Sequence, residues 1–241
     1  MRSVESREGH LLPVASQEAE YGNIGGNLAE IDSYRPQHYR RSEPPAEIYL
    51  PTFDDKKGMI VLPKPTEKQL ALFWSRLEQL GSITVIDLAS DDIELKHLLI
   101  DRNNRDHATK GPYVLKEANN NGFVDKTYSM TQETCRNKTI THFVLSSWKG
   151  VDIPTDRKSL LEMIEAVHTW QPEMTDDTPI VILDNGGFQK CGIVAVLLNE
   201  IYRILQQNGR INILQSVKKM VYGKSLLIRS KMQFKFCYDV M

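Results

Sequence analysis

The chain has no excess of charge of either sign: 30 Lys and Arg stand against 31 Asp and Glu, a formal net charge of −1. That balance lacks the electrostatic footprint of a nucleic-acid or anionic-membrane binder. Cysteine is scarce. Cys135, Cys191 and Cys237 share no pairing or zinc-ligand spacing, which fits a reducing compartment and excludes a disulfide scaffold. No apolar run approaches the ~18 residues of a membrane span, and no basic segment followed by a short apolar one opens the chain. The chain as given is therefore expected to be soluble, neither exported nor membrane-spanning. The Asn137-Lys138-Thr139 sequon is expected to be accidental. Apolar residues make up 41% and aromatics 8% of 241 residues, enough for one domain with a large core and a tail.

What is present is unevenly spread. Residues 1–45 are polar and carry Pro13, Pro36, Pro44 and Pro45, the texture of a linker, with Glu20-Tyr21-Gly22-Asn23-Ile24 standing apart. From residue 46 the texture is globular. Ile48–Leu50 and Gly58–Leu62 read as strands around the turn Asp54-Asp55-Lys56-Lys57. Thr66 is placed to cap a helix with Leu70, Phe73, Trp74 and Leu77 on one stripe, stopping near Gly81. Ile83–Leu88 reads as a buried strand, residues 101–126 as a surface excursion, and Thr127–Thr131 and Thr139–Leu145 as strands around a turn. Thr155 or Asp156 caps a helix with Leu160, Met163, Ile164 and Val167 on one face, ending by Pro172. Gln215–Met220 begins another helix, and Lys231–Val240 forms a last one. Interleaved strands and helices predict an α/β (α+β) domain with a mixed sheet covered by helices.

The stretch that organises the rest is Pro179–Leu183, an apolar run rich in β-branched residues, then Asp184-Asn185-Gly186-Gly187-Phe188-Gln189-Lys190-Cys191-Gly192, then an apolar helix reaching Gln207. Strand, tight loop and helix N-terminus aim backbone N–H groups and a helix dipole at an anion. Asp184 and Lys190 bracket the loop with five residues between them. A cysteine and an arginine in those places would make a Cys-x5-Arg phosphate loop.

Taken in order, these pieces resemble the protein-tyrosine-phosphatase fold, and most of all the membrane-distal domain of receptor-type phosphatases. Ala46–Leu50 stands where that family has Asn-Ala-Ser-Tyr-Ile. Phe53, Gly58, Ile60, Pro65 and Phe73-Trp74 then fall in place without a gap. Thr141-His142-Phe143 to Ser147-Trp148 resembles the strand leading into the Trp-Pro-Asp loop, and Gln233–Tyr238 the closing Gln-Tyr-x-Phe-x-Tyr helix. Tyr21–Ile24 echoes the phosphotyrosine loop, so residues 20–45 read as a remnant of that region and 46–241 as the domain, abbreviated at its N-terminus.

The resemblance implies a twisted mixed sheet flanked by helices, and a damaged active site. The nucleophilic cysteine's place holds Asp184, which offers no thiolate and in its ionised form repels a phosphate dianion. Lys190 replaces the arginine and loses its bidentate fork, so it is expected to pair with Asp184 or point to solvent. Cys191 replaces the hydroxyl that follows and reads as a small core residue. The acid loop becomes Trp148-Lys149-Gly150, with no carboxyl at Gly150 and Asp152 the nearest substitute. Arg229 stands in place of the water-positioning glutamine, and Gln233 keeps the second one. No cofactor or metal is expected.

The function so implied is a catalytically inactive domain, resembling those of gamma/zeta-type receptor phosphatases. It would act as a regulatory or protein-interaction module on the cytoplasmic side of a receptor. Its partners would be proteins, among them an adjacent or dimer-related active phosphatase domain. The membrane enters only through a longer receptor chain, and nucleic acid not at all. The alternatives are a phosphotyrosine or anion reader using Gly186-Gly187, and a weak residual phosphatase. His142 is expected to be a satisfied buried histidine, and Tyr21 to belong to the fold before it serves as a docking site.

Overall fold

The computed structural model describes residues 47–66, 69–88, 128–135, 138–145, 148, 150, 153–173, 175, 177–184, 188–207, 209–222 and 225–241. The N-terminal segment with Tyr21 and the 101–126 excursion lie outside these residues. Six strands form one sheet: β1 (Ile48–Leu50), β2 (Met59–Pro63), β3 (Thr84–Asp87), β4 (Tyr128–Cys135), β5 (Lys138–Leu145) and β6 (Ile180–Asp184). Their spatial order is β1-β2-β6-β3-β5-β4. β2, β6, β3 and β5 run parallel, and β1 and β4 close the sheet antiparallel at either side. This is the mixed sheet that the sequence predicts.

β6 lies at the centre because it is apolar on both faces, as a doubly covered parallel strand must be. Its alternation splits the core in two. Among the described residues, Ile180 and Ile182 join Met59, Val61, Ile86 and Phe143 under four helices, whereas Val181 and Leu183 join Ile60, Leu62 and Val85 under one. The single helix is α1 (Leu70–Leu80), which supplies Phe73, Trp74 and Leu77. The other face is covered by α2 (Arg157–Trp170), α3 (Gln189–Gln206), α4 (Ile213–Lys219) and α5 (Lys231–Val240).

Caps fix where the helices start. Asp156 accepts from Ser159 N–H at 3.1 Å and opens α2, and Asn212 accepts from Gln215 N–H at 3.0 Å and opens α4 two residues before the predicted start. Thr66 does not cap α1. Its N–H and hydroxyl donate to the Gln69 side chain, and Gln69 occupies the cap position. A two-strand hairpin, β7 (Val221–Tyr222) with β8 (Ser225–Leu226), joins α4 to α5 and has no counterpart in the sequence reading.

Candidate functional site

The C-terminal ends of β2, β3 and β6 converge at one edge of the sheet. Asp184 is the last residue of β6 and sits opposite Pro63 of β2. Its carbonyl accepts from Lys64 N–H at 3.3 Å, while the carbonyl of Leu183 accepts from Leu88 N–H at 3.0 Å. Strands on both sides therefore set where the Asp184 side chain leaves the chain.

Asn185, Gly186 and Gly187 lie outside the described residues, as do Lys149 and Asp152. The chain is described again at Phe188, which caps α3 in the left-handed region, φ 56°. The Phe188 carbonyl accepts from Gly192 N–H at 3.2 Å and from the Cys191 thiol at 2.9 Å. Gly192 is required there by space. A Cβ on it would lie 2.7 Å from Leu227 Cβ and 3.0 Å from the Leu227 carbonyl carbon. α3 can approach the segment after β8 so closely only without a side chain.

The helix N-terminus meets a carboxylate of its own chain. Asp184 Oδ2 accepts from Cys191 N–H at 3.4 Å, in the first turn of α3 where a bound anion would be favoured. Burial raises the Asp184 pKa, opposed by that N–H and by the charge on Lys190. The Cys191 thiol is fully buried and pushed well above its ordinary value, first by burial and then by the neighbouring carboxylate. It is a core thiol with no thiolate character, as expected.

Lys190 does not point to solvent, contrary to one of the two expectations for it. Its side chain is buried, and Nζ donates to the carbonyls of Trp148 at 2.9 Å and Leu88 at 3.1 Å. The ammonium also lies 6.0 Å from the centre of the Trp148 ring. The Asp184 carboxyl feels the Lys190 charge, and the ammonium also holds main-chain oxygens in the stretches that follow β3 and β5. Lys190 thus bridges the organising loop to the stretch that carries Trp148.

Gly150 is exposed and adopts φ 77°, so a carboxyl-bearing residue at that position would be strained as well as absent. Gln233 is buried in the first turn of α5. It forms a capping box with Ser230, its Oε1 accepting from Arg229 N–H at 2.9 Å and Ser230 N–H at 3.3 Å. That amide is engaged in holding a helix, and it faces its own backbone. The Arg229 side chain is exposed, near enough to Cys191 to favour its ionised form slightly.

Beside this edge lies a buried charged group that the sequence reading missed. Lys64 Nζ pairs with Asp87 Oδ2 at 2.8 Å, and both side chains are buried. His142 Nε2 stands 3.9 Å from the same oxygen and has no hydrogen-bond partner, so His142 is not the satisfied histidine expected. Burial lowers its pKa to about 4, with Asp87 opposing and Lys64 assisting. It is neutral at pH 7. The signal available in the sequence was an aspartate ending an otherwise apolar strand, Val85-Ile86-Asp87.

Among the described residues no three His, Cys, Asp or Glu side chains are grouped to hold a metal, and no described helix is long and apolar enough to cross a membrane. The family described as Protein-tyrosine phosphatase matches residues 47–241. Receptor-type tyrosine-protein phosphatase epsilon of Rattus norvegicus is 28% identical over 102 residues, 42% of this chain and 14% of that protein. Receptor-type tyrosine-protein phosphatase alpha of Homo sapiens is 26% identical over 106 residues, 44% of this chain and 13% of that protein. The chain thus matches a small part of each relative's length. A solved structure concerning the PTPN18 fingerprint on distinct HER2 tyrosine phosphorylation sites superposes with a TM-score of 0.66. It covers 94% of this chain and 96% of its own at 13% identity, a likeness of fold. With the sheet, the strand-loop-helix edge and a family match over residues 47–241 in agreement, the chain belongs to the protein-tyrosine phosphatase family.

Proposed function

We propose that this chain is a catalytically silent member of its family, acting as a protein-interaction or regulatory module in tyrosine-phosphorylation signalling. It is akin to the membrane-distal domains of gamma/zeta-type receptor phosphatases. The observation that supports the reading is the Asp184 carboxyl on the N-terminal turn of α3, at the place read as the nucleophile's. The phosphate dianion has the same electrostatic reason to sit there, so substrate and side chain compete for one place. A carboxylate also lacks the thiolate chemistry of the family, and Gly150 gives the leaving group no proton. Gln233 is committed to its cap. Groups that act as a unit fail as a unit, so each loss deepens the others.

On this reading the domain works in the cytoplasm as part of a longer receptor chain, binding proteins that include an adjacent or dimer-related active phosphatase domain. The test is turnover of a phosphotyrosyl peptide and of an aryl phosphate, with and without magnesium. No turnover above background is expected. Turnover that Asp184→Ala abolishes would show a working nucleophile and overturn the proposal. Calorimetry with the same peptide separates the second possibility, an anion reader: saturable binding below about a millimolar would mean that the cradle still accepts phosphate.

A further inference from the structure

We draw no further inference here: the strongest candidate, the outer edge of the eight-residue strand β4 at one end of the sheet, is paired on its β5 side alone among the described residues, and nothing in the structure shows what covers the other side.

Discussion

Helix α3 buries a cation near each end, and the two are compensated in different ways. Towards its C-terminus Arg203 meets Glu200 of the same helix. Glu200 also accepts from Asn212 N–H at 2.7 Å and from the Ser216 hydroxyl. Arg203 continues to Gln215 at 3.0 Å and lies over the Phe53 ring. Apart from the pair itself and the Phe53 contact, these bonds join α3 to the next helix in sequence and its cap. At the N-terminus Lys190 reaches the carbonyls of Leu88 and Trp148, 102 and 42 residues away along the chain. The first arrangement is a local ion pair that fastens two helices. The second ties the start of α3 to the stretches after β3 and β5, and it uses main-chain acceptors that survive any change of side chain.

The contrast is broken most directly by Glu200→Gln, which leaves the Arg203 guanidinium buried without its carboxylate. A loss of about 3–5 kcal/mol in urea unfolding is expected. A loss under 1 kcal/mol would mean that Arg203 finds solvent and that this end is no tighter than the other.

Acid tests the other edge. His142 titrates near 6.5 unfolded and about 4 folded, so between those values the unfolded state binds more protons. The stability it contributes is complete above about pH 6.5 and is lost as pH falls towards 4, at most roughly 3 kcal/mol. His168, lowered by burial, adds to this slope, and Asp184, raised by burial, opposes it. Unfolding measured across pH 4–7 should therefore show a shallower slope in His142→Asn than in the parent. Identical slopes would place the His142 charge in solvent.

Lys190→Met sharpens the comparison with the smallest of the three effects. It strands two carbonyls and removes a charge that favours the ionised Asp184, so a loss of about 1–3 kcal/mol is expected. Trp148 emission should shift as well, because the ammonium near its ring is removed. A cost equal to that of Glu200→Gln would show that both ends are held by carboxylates.

Much of the scaffold was legible because it rests on periodicity. The run Ile180–Leu183 announces a strand covered on both faces, and the stripe Leu160, Met163, Ile164 and Val167 announces the buried side of α2. The hairpin Val221–Leu226 was not, since two-residue strands carry no alternation to read. At the candidate site the sequence offered residue types: Asp184, Lys190 and Gly150 read as departures from the family's motif. Their contacts were not legible. The acceptors of Lys190 are carbonyls, which no sequence pattern marks, and the partner of Asp87 is a lysine in another loop. Glu200 and Arg203 were hidden inside an apolar helix whose stripe reads as core throughout. Gln233 was read through the family's glutamine, while the Ser230-x-x-Gln233 spacing of a capping box went unused.

The hydrogen bonds on both flanks of β6 have a consequence for how such a protein can drift. Residue 184 is delivered to its address by main chain alone, so replacing its side chain rewrites the reagent and leaves the delivery untouched. A fold wired in this way can lose a reaction in a single step, and it remains a ready mount for whatever group is next installed there.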